Sequence, residues 1–166
     1  MGRFLKTHPR LVWEFVWQEE QKILDVHSDS NWAGCHVSRK STSGGTASLG
    51  MHFIKTWSKS QATVAKSSGE AELYGTVRAS AEGLGMSSLL GGFGVEDTRV
   101  RLHVDASAAI GMVERRGLSK VRHIEVDLLW IQGQQARRLL PLRKVLGTKN
   151  VADMMTTNLP SAMISG

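Results

Sequence analysis

Two aspartates each follow a run of strand-forming residues, and they are the first candidates for chemistry in this chain. Asp29 comes after the run Ile23–Ser28, and Asp105 comes after the run Thr98–Val104. Open α/β sheets commonly bind metals and ligands where strands end, so we interpret Asp29 as a candidate metal ligand. A lone aspartate before a turn is more often a turn residue. A helix crossing between the two strands would make them parallel neighbours, and the two carboxylates would then converge at one sheet edge.

The composition describes one basic globular domain. With 166 residues and 41% hydrophobic content, the chain is long enough for one domain with a real core and too short for two. Its formal net charge of +6 favours a polyanionic partner, of which nucleic acid is the first to consider. The single cysteine, Cys35, excludes an internal disulfide and a cysteine zinc cluster, and it fits a reducing compartment. No apolar run approaches the length that spans a membrane.

A long helix is predicted between the two strands. Ser67 as the N-cap and Glu70 three residues later form a capping box. That structural role for Glu70 leaves Glu72, which points elsewhere, without one. The glycine-rich segment Gly91–Gly94 is expected to end the helix. The apolar residues that recur every three or four positions, and that we expect to face the sheet, are Leu73, Val77, Ala81 and Leu84.

The sheet is predicted to begin as an antiparallel meander of three strands. After the first strand, the polar segment Arg39–Gly45 is interpreted as a flexible connection. The runs Thr46–Phe53 and Ile54–Ser58 then have the composition of strands. A further short strand is expected before the sheet, at Leu11–Val16, because apolar residues alternate there.

Two histidines precede the two aspartates at matching positions. Strand side chains alternate between faces, so Asp25, His27 and Asp29 share one face of the first strand. His103 stands in the same relation to Asp105. We interpret both histidines as packed strand residues rather than as metal ligands.

The last third of the chain is predicted to contain two helices, a strand and a final short helix. Ser107 is a candidate N-cap after the second strand. A helix is expected from about Ile124 to Arg138. The residues that should pack it on the sheet, together with Trp57 as a further core aromatic, are Val126, Leu129, Trp130 and Gly133.

The predicted final elements bring in one more acidic residue. A strand is expected at Leu139–Val145, followed by a turn at Gly147–Asn150 and a short helix at Val151–Met155. Asn150 is the candidate cap of that helix, and Asp153 lies in its first turn. The residues after 160 are expected to form an unstructured tail.

This order of elements and several sequence blocks resemble the ribonuclease H domain of copia-type LTR-retrotransposon polyproteins. The order is β-β-β-α-β-α-α-β-α, and no single block carries the resemblance alone. The similar blocks are Ser28–Gly34, Arg39–Gly44, Ser67–Tyr74, Asp105–Ile110, Lys120–Val126 and Asn150–Thr156. The resemblance implies an α/β, ribonuclease H-like fold. Its mixed five-stranded sheet would have three antiparallel strands followed by parallel strands, flanked by helices.

The resemblance also implies a division of the chain into three parts. Residues 1–20 would be a remnant of the upstream reverse transcriptase or its connection, because Gly2–Thr7 is similar to the end of that polymerase. Residues 21–160 would be the ribonuclease H-like domain, and residues 161–166 a tail. The chain contains no Tyr-x-Asp-Asp motif, so DNA synthesis is not expected of it.

A metal centre of four acidic residues is implied by the same resemblance. The metal ligands of the family fall on Asp29, Glu72, Asp105 and Asp153, for two Mg²⁺ or Mn²⁺ ions. Phosphodiester hydrolysis by two hard cations needs several converging carboxylate oxygens. One ion would activate the attacking water and the other would stabilise the leaving 3′ oxygen. Glu70 is the rival of Glu72, and the helix dipole offers a structural explanation of the last aspartate.

Substrate contacts are expected from basic and hydroxyl groups, which bind phosphates without reading sequence. The residues assigned to this role are Arg39, Lys40, Ser41, Thr42, Arg115, Arg116, Lys120 and Arg122. His123 is a candidate for substrate contact or for helix capping rather than for catalysis. Asn31 and Ser107, near the two aspartates, are candidates to bind the 2′-hydroxyl of RNA. A merely solvated basic face is the alternative for each cation. Related enzymes often have a histidine before the last acidic helix, where this chain has Lys149.

The expected function is therefore metal-dependent hydrolysis of the RNA strand of RNA–DNA hybrids during reverse transcription. An inactive relic or accessory domain that binds hybrid without cutting is the alternative, and a DNA-cutting nuclease of the integrase type is a weaker third. The implied partners are the hybrid and the reverse transcriptase domain of the same polyprotein, with no membrane. The isolated domain is expected to be a monomer located inside the cell, in a cytoplasmic virus-like particle or the nucleus.

Overall fold

The computed structural model describes residue 10, residues 12–115 and residues 125–157. The strands are β1 (Ile23–Asn31), β2 (Thr42–Leu49), β3 (His52–Ser60), β4 (Arg99–Val104) and β5 (Leu142–Lys144). The α-helices are α1 (Ser68–Gly92), α2 (Ser107–Glu114) and α3 (Glu125–Ala136), and two 3-10 helices follow at Gly147–Lys149 and Val151–Met155. No helix among the described residues is both long and apolar enough to cross a membrane.

One mixed sheet contains all five strands in the order β3-β2-β1-β4-β5. The first three strands form an antiparallel meander. β1 and β4 are parallel, as are β4 and β5. The predicted class and sheet are confirmed. The parallel pairing of β1 with β4, which the crossover helix α1 requires, is the feature that brings the two aspartates together.

The main core lies between the sheet and α1, which approach each other very closely. Buried residues of β1 and β4 form the sheet side, among them Leu24, Val26, Val100 and Leu102. On α1 the facing residues are Gly75, Ala79 and Gly83, spaced by four. A Cβ at Gly83 would lie 2.8 Å from a methyl carbon of Val100, so a larger residue there would displace either that side chain or the helix.

This close approach corrects the predicted apolar face of α1. Ala81 is exposed, and Leu73 and Val77 turn away from the sheet. They pack in a second core cluster, the helix core, whose buried members are Leu73, Val113, Leu128 and Ile131. Of the predicted residues, Leu84 is packed against the sheet core. Leu73 and Val77 face other helices because only small residues fit along the line of closest approach, at Gly75, Ala79 and Gly83.

The predicted packing of α3 is also wrong. Val126 is 80% exposed and Leu129 is 45% exposed, whereas Leu128 and Ile131 are fully buried in the helix core. The helix packs on α1 and α2 rather than on the sheet, so a different stripe of its surface is buried. Trp130 is partly buried at the edge of the helix core, and Trp57 packs against the sheet core.

Several predicted boundaries and caps are tested by the structure. The Oγ of Ser67 accepts a hydrogen bond from the backbone N–H of Glu70 at 3.2 Å, which confirms the cap of α1. Asn150 caps its 3-10 helix by accepting from the N–H of Ala152 at 3.3 Å. Ser107 is not a cap, because Ala106 occupies that position without a side-chain bond.

Other boundaries shift by a few residues. β1 continues to Asn31, so Asp29 lies inside the strand rather than at its end. β2 begins at Thr42, so four of the seven residues of the predicted flexible connection are strand. The strand predicted at Leu11–Val16 is absent from residues 12–16. The predicted tail and most of residues 1–11 lie outside the described residues, and the three-part division of the chain stays a prediction.

Candidate metal centre

Three acidic side chains meet on the edge formed by β1, β4 and α1. Asp29 comes from β1, Asp105 directly follows β4, and Glu72 comes from the second turn of α1. One carboxylate oxygen from each residue lies within 4.8 Å of the other two. The strand pairing and the crossover helix therefore place these three carboxylates together, as the sequence predicts. We call this set the carboxylate cluster.

Glu72 is the most perturbed member of the carboxylate cluster. Burial raises the pKa of its carboxyl group to about 8, and the charges of Asp29 and Asp105 add to the effect. Its Oε2 atom is buried and has no hydrogen-bond partner among the described residues. A buried carboxylate oxygen without a donor is destabilising unless a proton or a cation compensates it. Glu72 rather than Glu70 therefore joins the cluster, because Glu70 accepts from the backbone N–H of Lys66 at the helix start.

Asp29 is buried, with 8% of its surface exposed. Burial raises the pKa of its carboxyl group, and the nearby charges of Asp105 and Asp153 raise it further. Two hydrogen bonds lower this pKa: the Oγ1 of Thr156 donates to the Oδ2 of Asp29, and the backbone N–H of Ser30 donates to the same carboxylate. This hydroxyl holds the carboxylate in one orientation toward the cluster.

The fourth predicted ligand, Asp153, lies beside the cluster rather than within it. It is exposed on the last 3-10 helix, and its Oδ1 accepts from the hydroxyl of Thr157 at 3.0 Å. It is close enough to Asp29 to raise the pKa of that residue. It is absent from the set of carboxylates that lie within 4.8 Å of one another. The structure thus brings together three of the four predicted ligands and places the fourth at their rim.

The donor atoms of the cluster suit a hard divalent cation. All three described ligands offer carboxylate oxygens, which Mg²⁺ and Mn²⁺ prefer. The unpartnered Oε2 of Glu72 and the mutual repulsion of the three acids are the features that a bound cation would relieve. The residues present therefore fit the metal that the sequence predicts.

The predicted substrate residues near the cluster differ in what they can contact. Asn31 is exposed at the end of β1 and donates to the backbone carbonyl of Thr156 at 3.2 Å. Ser107 is exposed, and its Oγ accepts from the ammonium group of Lys144 at 2.5 Å. Each follows a candidate ligand, Asp29 or Asp105, by two residues, and both have surface that a substrate could reach.

The residues of the β1–β2 connection have mixed roles. Ser41 is fully buried, and its Oγ accepts from the backbone N–H of Ala33 at 3.0 Å. It stabilises the connection and offers no surface to a substrate. Arg39 is exposed in a turn with a φ of 55°, while Lys40 and Thr42 are partly buried. Four further residues with predicted substrate contacts lie outside the described residues: Arg116, Lys120, Arg122 and His123.

The histidines are confirmed as packed strand residues. The rings of His27 and His103 stack at 4.3 Å, and His103 bonds the Oδ1 of Asp25 through Nε2 at 2.6 Å. Asp25 also forms a two-pronged ion pair with Arg101, at 2.5 and 2.7 Å. Burial and the neighbouring His103 lower the pKa of His27 to about 4. We call these four residues the histidine–arginine cluster.

Two residues near the site, Thr156 and Gln61, are not predicted from the sequence. Thr156 follows Asp153 by three residues, and a hydroxyl beside an acidic residue is the only signal that could have indicated its contact with Asp29. Gln61 is buried after β3, where its Nε2 bonds the Oγ of Ser43 and the carbonyl of Ala71, both at 2.9 Å. A lone glutamine carries no signal for such a role.

Comparison with known sequences identifies similar proteins from plant transposons. No protein-family model matches the chain. It is 32% identical over 82% of its length to the retrovirus-related Pol polyprotein from transposon RE1 of Arabidopsis thaliana. It is 27% identical over 83% of its length to that from transposon TNT 1-94 of Nicotiana tabacum. The chain spans about a tenth of the length of these relatives, 9% and 10% respectively.

Comparison with solved structures gives ribonucleases H. The LC11-RNase H1 isolated from compost matches with a TM-score of 0.62 and 14% identity, over 81% of this chain and 93% of that one. An N-terminal ribonuclease H domain from Mycobacterium tuberculosis matches with a TM-score of 0.61 and 11% identity, over 82% and 91%. LC11-RNase H1 in complex with an RNA/DNA hybrid matches with a TM-score of 0.57 and 15% identity, over 86% and 99%. The ribonuclease H-like fold implied by the sequence is confirmed.

Proposed function

We propose that this chain, a ribonuclease H-fold domain related to the Pol polyproteins of plant transposons, hydrolyses the RNA strand of RNA–DNA hybrids with divalent metal ions. The carboxylate cluster is the observation that carries this proposal. Three acids within 4.8 Å, one with a buried oxygen that lacks a donor, form an arrangement that a cation would stabilise. At a sheet edge with only a structural role, mutual repulsion of three carboxylates would destabilise the fold without compensation.

Each acidic residue of the site would provide carboxylate oxygens to the metal. Asp29, Glu72 and Asp105 would hold it, and Asp153 at the rim would complete a site for two ions. When bound, divalent cations supply Lewis acidity for the phosphoryl group and a more acidic water. Glu72 must give up the proton that its raised pKa favours. Thr156 keeps the carboxylate of Asp29 oriented while this happens.

Hybrid binding is supported by charge and by one solved relative. The chain carries a net charge of +6, and the exposed groups of Asn31 and Ser107 flank the acidic ligands. The structure of LC11-RNase H1 was determined in complex with an RNA/DNA hybrid. Asn31 and Ser107 are suited to bind the ribose 2′-hydroxyl, which distinguishes RNA from DNA.

The proposal extends to the setting of the domain. We place it in a copia-type LTR retrotransposon, where it would act beside the reverse transcriptase of the same polyprotein. The site of action would be a virus-like particle in the cytoplasm or the nucleus, and the isolated domain would be a monomer. Sequence similarity to transposon Pol polyproteins supports this setting.

Cleavage of a labelled RNA–DNA hybrid tests the proposed reaction. The chain is incubated with hybrid in Mg²⁺, Mn²⁺ or EDTA, beside single-stranded RNA and duplex DNA. We expect cutting of the hybrid RNA alone, only with metal, and its loss in Asp29→Asn. Asp25→Asn is the matched control, because it removes an aspartate from the same face of the same strand. Binding of hybrid without cutting would instead favour the accessory or relic alternative.

A further inference from the structure

Gln61 is a buried amide that joins three segments of the chain. It directly follows β3, is only 8% exposed, and donates its backbone N–H to the carbonyl of Ser41 at 2.8 Å. Its Nε2 lies 2.9 Å from the Oγ of Ser43 on β2, 2.9 Å from the carbonyl oxygen of Ala71 on α1 and 3.3 Å from the Oγ of Ser30 on β1. A backbone carbonyl can only accept, so the amide nitrogen must face α1.

Two of these contacts adjoin the acidic ligands. The carbonyl of Ala71 belongs to the peptide group that continues into Glu72, and Ser30 directly follows Asp29. The backbone N–H of Ser30 also donates to the carboxylates of both acids. The side chain of Gln61 therefore connects β1 and α1 at the two points that carry the carboxylates.

The carboxylate cluster needs such a connection because its members repel one another. Oxygens of Asp29, Glu72 and Asp105 lie within 4.8 Å of one another, and without a cation their charges favour separation of β1 from α1. The amide of Gln61 is neutral, so its hydrogen bonds oppose this separation without supplying a positive charge. A cationic side chain in its place would pair with the acids and compete with a metal ion.

The oxygen of the same amide argues against a purely structural role. The Oε1 of Gln61 is buried and has no hydrogen-bond partner in the part of the chain that the structure describes. Such an oxygen is destabilising, and an apolar side chain of similar length would avoid this cost. The donors of the amide are therefore the feature that this position uses.

We propose that Gln61 is a positioning residue of the metal centre, whose amide holds the segments of Asp29 and Glu72 at the spacing at which their carboxylates can share one cation. That the cluster binds a cation rests on the proposed function. Residues that orient metal ligands typically change metal affinity 10- to 100-fold, because a site that is already ordered loses less conformational freedom when the ion binds.

Binding of Mn²⁺ alone, without nucleic acid, tests this role. The full chain is titrated with Mn²⁺, and electron paramagnetic resonance of the free ion gives a Kd that does not depend on cleavage. Gln61→Met removes the amide at similar side-chain length and should weaken binding about 10-fold. Ser30→Ala removes one acceptor beside Asp29 and should weaken binding about threefold, as expected for one neutral hydrogen bond.

Ser43→Ala is the matched control. Ser43 is buried and accepts from the same amide, but it adjoins no acidic residue in the chain. Its replacement should leave the Kd for Mn²⁺ unchanged. A loss in Ser43→Ala equal to that in Gln61→Met would overturn the positioning role, because the effect would then follow from packing in general.

Circular dichroism verifies the fold of each variant. A wild-type Kd in folded Gln61→Met would overturn the positioning role. If Gln61→Met does not fold, a wild-type Kd in Ser30→Ala, whose substitution lies at a partly buried position, would overturn it instead. The expected order of Kd values in a chain that cuts no hybrid in Mg²⁺ would overturn the proposed reaction and retain the role of Gln61. Wild-type chain that binds no Mn²⁺ would overturn both.

Discussion

Asp25 and Asp29 lie on the same face of β1, four residues apart, and differ in what surrounds them. Burial raises the pKa of Asp25, but the hydrogen bonds from Arg101 and His103 outweigh it and hold that pKa below its usual value. Asp29 is also buried, yet its charged neighbours are Asp105 and Asp153, so its pKa is raised. The same pair of strands thus builds one acid that is neutralised by the chain and one that is not.

The comparison shows at which acidic site the compensating positive charge comes from the protein and at which it would have to come from a bound cation. In the histidine–arginine cluster the compensating cation is Arg101, which is covalently part of the protein. In the carboxylate cluster no cationic side chain of the described residues pairs with Asp29, Glu72 or Asp105. An acid cluster that lacks its own counter-charge is a site for a diffusible cation, whereas an acid paired with arginine is a structural tie.

Exchange of one aspartate at each cluster gives the largest predicted contrast. Asp29→Asn should lower the rate of hybrid cleavage at least on the order of 100-fold, because even indirect metal contacts are worth 10- to 100-fold. Asp25→Asn should retain activity within a few-fold. Initial rates in Mg²⁺ measure both, with circular dichroism to verify folding. Equal losses in the two folded variants would contradict the division between the clusters.

Metal should stabilise the carboxylate cluster and leave the other cluster unaffected. At Mg²⁺ 100-fold above its Kd, linkage contributes about 2.7 kcal/mol, which corresponds to a rise in Tm of roughly 5–10 °C for a chain of this size. Glu72→Gln should lose most of that rise, while Asp25→Asn keeps it. Thermal unfolding with Mg²⁺ and with EDTA at constant ionic strength is the measurement. An unchanged rise in Glu72→Gln would exclude this residue as a ligand.

Removal of the hydroxyl that orients Asp29 should have a smaller effect. Thr156→Val deletes the donor to Asp29 and should reduce cleavage about 10-fold, in the range of other contacts that orient metal ligands. It should also raise the Mg²⁺ concentration needed for half-maximal rate. Thr156→Ser keeps the hydroxyl and serves as the control. Equal impairment of the serine and valine variants would show that the hydrogen bond alone does not account for the effect.

The smallest predicted effect is on stability against pH without metal. The folded pKa of Glu72 is about 8, above its unfolded value, so the folded state holds a proton that the unfolded state releases. This contribution to stability is complete below the unfolded pKa and is lost as pH rises to about 8. His27, with a folded pKa of about 4, changes stability only below its usual value of 6.5. In EDTA, Tm should therefore fall between pH 6.5 and 8 in wild type and less in Glu72→Gln.

The features that the sequence predicts well are those with local causes. The caps by Ser67 and Asn150 depend on hydrogen bonds to residues two or three positions away. The convergence of Asp29 and Asp105 follows from strand length, a crossover helix and the handedness of such crossovers. These patterns lie within short segments of the sequence, so the caps and the crossover can be predicted without knowledge of any tertiary contact.

The features that the sequence does not predict depend on contacts between distant segments. The buried face of α3 differs from the predicted one because the helix packs on α1 and α2, a choice that its own periodicity does not reveal. Ser41 is buried by a bond to Ala33 across a turn. Thr156 meets Asp29 from 127 positions away, and threonines in many loops have the same local composition.

The small residues of α1 that face the sheet, Gly75, Ala79 and Gly83, have a consequence for sequence variants of this chain. Gly83 lies eleven residues after Glu72, which is about 16 Å along the helix at 1.5 Å per residue. A methyl group at Gly83 would meet side-chain carbons of Val100 at 2.8 Å and of Val26 at 3.1 Å, so these buried side chains or α1 itself would have to shift. Any shift of α1 at Gly83 would be passed along the helix to Glu72 and would change its distance from Asp29 and Asp105. If the proposed function holds, a substitution at Gly83 would therefore lower cleavage while every acidic residue of the carboxylate cluster stays unchanged.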